Sequence, residues 1–420
     1  MSTGSKRNKR GGPETRLPFY IFDLPIQELR RGYRSDVYFW REKLILERDH
    51  HNPVVTMQVF QKQNSVLCGI DEAIAILKVG TGHYTDLSKA YQLFDRLMNI
   101  KTELRKSRYT DEERFISLTQ ERLEVEGELD AIWTNDFDQL KIAALRDGDE
   151  LEPYETVMNI EGPAASFAHL ETVYLGVLAR RTKIATNVRQ CVRAARGKPV
   201  LFFGARFDHF SSQGGDGYAA SIGGAEAVST DAGAEWWGSR ASGTIPHALI
   251  ACYRGDTTLA TYKFYEHIAK GTDIKVIALV DYQNDCVRTS LEVAEKLKDV
   301  LWGVRLDNSE TMVDRSLWEE MTQFDPRGVN IRLVEKVREA LDCAGFSHVK
   351  IIVSGGFNPD KITSFEEKKA PVDIYAVGSF FLGGRCDFTA DIIKVDGELE
   401  SKTGREYRPV RHRSWDISST

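Results

Sequence analysis

The chain has 420 residues, 42% hydrophobic and 28% charged, an ordinary globular composition long enough for two or three domains. Its net charge of -6 offers no general attraction to nucleic acid or to an acidic membrane, and no apolar stretch approaches the roughly 20 residues that span a bilayer. The six cysteines, at 68, 191, 252, 286, 343 and 386, stand singly, with neither metal-ligand nor redox spacing, so a reducing cytoplasm is the expected compartment.

Residues 1–16 are basic and polar, lack the apolar core of a secretion signal, and read as a disordered tail. Residues 17–150 mix apolar runs such as Val54 to Phe60 with a helical Asp71 to Leu77, an α+β pattern that predicts an N-terminal sandwich domain. Within it, residues 86–130 are highly charged, with Leu93, Leu97, Ile100 and Leu104 at helical spacing. They predict a helical hairpin or arm whose charges form a solvated face or a partner surface.

From residue 151 to 385, short apolar strands alternate with amphipathic helices. The expected strands are Val200 to Gly204, Ala225 to Ser229, Lys275 to Val280, Leu301 to Leu306, Val349 to Val353 and Ile374 to Val377. Helices are expected over Ser290 to Asp299 and Ile331 to Ala344. This alternation predicts a parallel sheet, either a barrel or doubly wound. The strand ends favour the barrel, because Arg206, Asp281, Arg305, Asp307, Ser354-Gly355-Gly356 and Gly378-Ser379 all follow strands, where barrels gather functional groups. Residues 386–420 carry a strand-like Ile392 to Gly397 and are expected to leave the barrel and pack back on the N-terminal domain.

Several of these positions carry chemistry. Arg206 ends an apolar run, Pro199-Val-Leu-Phe-Phe-Gly-Ala-Arg206, and presents a guanidinium suited to a planar carboxylate or a phosphate, or else to an ion pair. Glycines in Val353-Ser-Gly-Gly-Phe357 and Ala376-Val-Gly-Ser-Phe380 let backbone N–H groups approach a phosphate, which points to a phosphorylated sugar or nucleotide. Arg305 and Asp307 share one strand face, fitting an anionic leaving group and ribose hydroxyls or else an Arg–Asp pair, and Asp281 adds a carboxylate for hydroxyls or Mg²⁺. Arg180, Arg181 and Lys183 are further cations for pyrophosphate, or plain helix-surface charge. An isomerase or aldolase barrel would want a strand-end lysine or glutamate; no such lysine is found, and Glu226 could serve but has no partner in the sequence pattern.

Together, Phe203-Gly-Ala-Arg206, Gly243-Thr-Ile-Pro-His247, Gly303-Val-Arg-Leu-Asp307, Val353-Ser-Gly-Gly356 and Val377-Gly-Ser379 resemble the nicotinate phosphoribosyltransferase family, from about Ser35 to Gly397. That resemblance implies an α/β fold in which a sandwich domain precedes an incomplete TIM-like barrel, paired as a homodimer with shared active sites. It implies phosphoribose transfer from PRPP to nicotinate with Mg²⁺, coupled in many members to ATP through a phosphohistidine, which would class the enzyme as a ligase. By motif, Arg206 would hold the pyridine carboxylate and Phe203 would stack on the ring. Tyr38 would cover the ring's other face across the dimer. Arg305 would contact PRPP or the bound pyridine and Asp307 the ribose. Ser354, Gly355, Gly356, Gly378 and Ser379 would bind the 5′-phosphate, and His247 would be phosphorylated. The alternatives are a nicotinamide or quinolinate phosphoribosyltransferase, or a non-catalytic nucleotide-binding relative. The chain departs from the family pattern at Phe207, where many relatives carry a second basic residue, at Asn308-Ser309-Glu310, and at Pro246.

Overall fold

The computed structural model describes residues 16–411. The expected tail, apart from Arg16, and the C-terminal segment beyond residue 411 lie outside the described residues. The chain divides into two compact units, one built from residues 16–180 and 386–411, the other from 181–385.

The first unit is an antiparallel five-stranded sheet in the order Glu398–Leu399, Phe388–Val395, Val54–Gln61, Thr156–Pro163, Lys141–Ala144. Strand alternation sends Val55, Met57 and Val59 to one face, where they join Ile142, Met158 and Ile160 in a core. Helix Ile70–Gly80 covers that face with Ile70, Ala73, Ile74, Ile76 and Leu77. Gln58, on the opposite face, donates to the Glu406 carbonyl at 3.1 Å and accepts from the Arg408 amide at 2.7 Å, so the C-terminal segment lies on that side.

The expected boundary at residue 150 therefore differs from the structural one. Strand Thr156–Pro163 pairs with Val54–Gln61 along its length and belongs to this sheet, and the division falls within helix Glu171–Ala194.

Residues 86–130 form a helical hairpin, Leu87–Ser107 and Glu112–Ala131, each helix opened by an aspartate that accepts from the backbone N–H three residues on. Leu93, Leu97 and Ile100 bury against Leu118, Val125 and Leu129. Among its charges, Arg96 pairs with Glu121 at 3.0 Å and Lys89 with Glu128 at 3.4 Å, so part of the charged face is occupied within the hairpin itself.

The second unit is a curled, six-stranded parallel sheet in the order Val276–Leu279, Leu301–Leu306, Lys350–Val353, Ile374–Val377, Val200–Phe202, Ala227–Val228. The last strand in sequence pairs with the first, a closure that belongs to a barrel and not to a doubly wound sheet. The barrel is incomplete between Ala227–Val228 and Val276–Leu279. An irregular segment crosses that gap: the Ser242 amide donates to the Val228 carbonyl at 2.8 Å, and buried Ile245 packs with Leu279. Helices Cys286–Leu297 and Ile331–Cys343 bury Val293, Leu297, Leu333, Val337 and Leu341 along one stripe each.

Candidate active site

The carboxyl ends of the barrel strands enclose a cavity of about 640 Å³. Phe203, Arg206, His247, Arg305, Asp307, Ser354, Gly355, Gly356, Gly378 and Ser379 all line it, although they are scattered over residues 203–379. Phe207, Ser229, Thr230 and Thr244 line it as well. Ser229 and Thr230 carried the same signal as the others, polar residues just beyond a strand end, but their sequence resembles an ordinary turn.

Two cations and two aromatic rings furnish one part of the wall. Arg206 sits on the short turn Ala205–Phe207, its guanidinium carbon 5.4 Å from the Phe207 ring centre. The Arg305 guanidinium carbon is 5.7 Å from the Phe203 ring centre. Neither arginine makes an ion pair among the described residues, and the buried Nε of Arg305 has no hydrogen-bond partner. Burial lowers the pKa of Arg305, Asp307 and Asp281 raise it, and Arg206 lowers it further. Two guanidiniums so arranged have the charge and geometry that would suit an anion.

Phe207 explains a glycine. A Cβ on Gly378 would come within 2.6 Å of the Phe207 ring and 3.0 Å of the Phe203 carbonyl, so the ring packs where only a side-chain-free residue fits. Phe207 makes this part of the wall apolar.

The glycine loop after Lys350–Val353 forms another wall. Gly355 and Gly356 adopt φ of 85° and 67°, the left-handed region that glycine enters without steric cost. The amides of Gly355, Gly356, Phe357 and Ser379 donate to no acceptor among the described residues. Unpaired backbone donors around a cavity suit the oxygens of a phosphate. Ser354 has another role: its hydroxyl donates to Asp307 Oδ1 at 2.7 Å, holding that carboxylate in place. Buried Asn308, next to Asp307 on the loop after Leu301–Leu306, donates to Asn284 at 3.1 Å and Asp314 at 3.3 Å and anchors that loop.

Asp281 does not line the cavity. Its carboxylate faces His247, whose Nε2 lies 2.9 and 3.1 Å from the two oxygens. That hydrogen bond raises the His247 pKa above its usual value, against the opposing effect of burial.

Arg181 is buried in an ion pair with Asp216 at 2.9 Å, which gives it a structural role. Tyr38 belongs to the first unit, on helix Val37–Arg48, and is 58% exposed. It is not among the residues lining this cavity.

The profile described as quinolinate phosphoribosyl transferase, N-terminal domain, matches residues 135–182. A nicotinate phosphoribosyltransferase of Mycobacterium tuberculosis is 28% identical over 258 residues, 60% of this chain and 53% of the relative. The crystal structure of a nicotinate-nucleotide pyrophosphorylase from Pyrococcus furiosus is 30% identical, with a TM-score of 0.67, over 90% of this chain and 79% of that one.

The chain belongs to the nicotinate phosphoribosyltransferase family.

The fold is shared with more distant members: human nicotinic acid phosphoribosyltransferase superposes with a TM-score of 0.57 at 15% identity, over 87% of this chain and 75% of that one. The chain spans about half the length of the curated relatives it matches. Within the family's barrel, the five motifs read from the sequence converge on one cavity. Among the described residues no helix is long and apolar enough to cross a membrane.

Proposed function

We propose that the chain transfers phosphoribose from PRPP to nicotinate, giving nicotinate mononucleotide and pyrophosphate. The observation that carries this reading is the pairing, in one cavity, of two unpaired arginines beside two aromatic rings with unpaired backbone amides and a held carboxylate. A pyridine carboxylate would lie on Arg206 with its ring against Phe203 and Phe207. The 5′-phosphate would take the amides of Gly355, Gly356, Phe357 and Ser379, and Asp307 would accept from the ribose hydroxyls.

In the reaction the C1–oxygen bond to pyrophosphate breaks as the pyridine nitrogen bonds to C1. Positive charge grows on the ribose ring and negative charge on the leaving group, so fixed charges supply most of the catalysis. Asp307 would stabilise the first and Arg305 the second. The chain provides no closed metal cage, since no group of three or more His, Cys, Asp or Glu among the described residues could hold an ion. Asp307 would hold Mg²⁺ together with substrate oxygens, the usual way this ion is bound. Bound there, Mg²⁺ would neutralise part of the pyrophosphate charge.

Nicotinate is favoured over quinolinate because a second carboxylate would meet the apolar ring of Phe207. Nicotinamide, being neutral, would leave the charge of Arg206 uncompensated. ATP coupling would use His247: with Nε2 on Asp281, the Nδ1 lone pair attacks the γ-phosphorus, forming N–P as the bond to ADP breaks. A homodimer would bring Tyr38 to the partner's ring site, in a cytoplasmic setting.

The test is pyrophosphate release by the purified chain with PRPP and Mg²⁺, comparing nicotinate, nicotinamide and quinolinate. Selective turnover of nicotinate is the expected result. Equal turnover of nicotinamide, or none with any base, would overturn the reading.

A further inference from the structure

The loops after Leu301–Leu306 and Lys350–Val353 run side by side, and their contacts are in step. Ser354 meets Asp307, a Cβ on Gly355 would come within 3.3 Å of the Asn308 carbonyl, and a Cβ on Gly356 would collide with the Glu310 carboxylate. Glu310 thus rests on the same loop whose amides lack acceptors.

A cation reaches this loop from outside the cavity: Lys361 does not line it and stands in a neighbouring groove with Phe365 and Lys368. Lys361, in the first turn of helix Pro359–Glu367, brings Nζ to 3.4 Å from the Gly355 carbonyl and 4.4 Å from the Phe357 ring centre. It has no carboxylate at ion-pair distance among the described residues. Burial lowers its pKa, and the only group opposing this is the charge of Glu310. A half-buried ammonium with one distant counter-charge is poised to gain from a closer one.

We propose that Lys361 is a phosphate-binding cation of the glycine loop and that Glu310 is its displaceable counter-ion, which an incoming phosphate monoester must push aside. This rests on the reading of that loop as the 5′-phosphate site. A phosphate on the amides of Gly355 to Phe357 would lie within a few ångströms of a carboxylate on Gly356, and two anions so close in a partly dry site repel strongly. The flexible four-carbon stem of Lys361 lets its ammonium turn from the Gly355 carbonyl toward the phosphate. The pair then acts as a charge filter: a doubly charged monoester displaces Glu310, and an uncharged sugar gains nothing by doing so.

The experiment measures ribose 5-phosphate binding to the full chain by calorimetry, with ribose as the uncharged control, with and without Mg²⁺. Glu310→Gln should bind about 5- to 10-fold tighter than the wild type, Lys361→Ala about 10-fold weaker with a shallower salt dependence, and Lys361→Arg within about 3-fold. Wild-type binding that neither Glu310→Gln nor Lys361→Ala changes overturns this inference and leaves the phosphate loop standing. Weaker binding by Glu310→Gln, as a metal-holding carboxylate would give, also overturns it. A wild-type chain that does not bind ribose 5-phosphate at all overturns both. Glu310 is exposed, so Glu310→Gln carries the test even where Lys361→Ala fails to fold.

Discussion

Nε2 of His247 lies 2.9 Å from one carboxylate oxygen of Asp281 and 3.1 Å from the other, although His247 opens helix His247–Cys252 and Asp281 follows strand Val276–Leu279. The imidazole is about half exposed and the carboxylate is buried, so the pair fixes the ring orientation and keeps a proton on Nε2. Its Nδ1 makes no bond among the described residues.

The sign of the pH dependence follows from this bond. The His247 pKa is raised on folding, so the pair's contribution to stability is complete below the unfolded value near 6.5 and is lost as pH rises through the folded value. Nucleophilic Nδ1 needs the opposite condition, since it must first lose its proton. Phosphorylation by ATP, followed by radiolabel incorporation, is therefore expected to rise with pH through a midpoint above about 6.5. Asp281→Asn should lower that midpoint, and His247→Ala should abolish labelling.

Arg206 makes no ion pair among the described residues, and its removal should act on the base more than on PRPP. Arg206→Ala is expected to raise the nicotinate KM about 10- to 100-fold, the size of a lost charge-assisted bond, with the PRPP KM changed less than about 3-fold. Steady-state kinetics with each substrate varied in turn checks it. An equal loss on both substrates would place Arg206 elsewhere in the site.

Gly378 and Phe207 should behave as a pair. Gly378→Ala pushes a methyl into the Phe207 ring and is expected to lower kcat/KM about 10-fold or more. Adding Phe207→Ala should restore part of it, because the ring is the nearer of the two obstructions. Partial rescue distinguishes a packing clash from a blocked phosphate.

Lys43 is a stability prediction. It is 1% exposed, donates to the Gly82 and Ala165 carbonyls at 2.7 Å each, and pairs with Glu47 at 2.9 Å. Lys43→Ala leaves those acceptors and part of a charge pair unsatisfied, and should cost about 3 kcal/mol in urea unfolding. A change below about 0.5 kcal/mol would show that water replaces the ammonium.

Strands Leu301–Leu306 and Ile374–Val377 have the bounds read from the sequence: the second is a continuous apolar run ending at Gly378, and the first, interrupted by Gly303 and Arg305, ends at Asp307. Ala225 to Ser229 was less legible: only Ala227–Val228 is strand, since Gly224 at φ 103° and Ala225 still close the preceding helix. The domain boundary was misplaced for a related reason. Residues 156–163 fall in the stretch read as the barrel domain and carry no strand in the sequence reading, whereas they pair along Val54–Gln61, a long-range contact that no local pattern announces.

The sequence by itself determined the alternation of strands and helices, the glycines that expose backbone amides, and which charged residues stand at strand ends. Those features are local, set by side-chain period and by backbone freedom within a few residues. Only the tertiary structure decided what each charge faces. Arg206 and Arg305 are unpaired toward the cavity, Arg181 is buried against Asp216, and Asp281 is turned from the open cavity to His247. A charge acquires its partner when distant loops meet at the barrel mouth, and the choice between solvent, ligand and counter-ion is made by that packing.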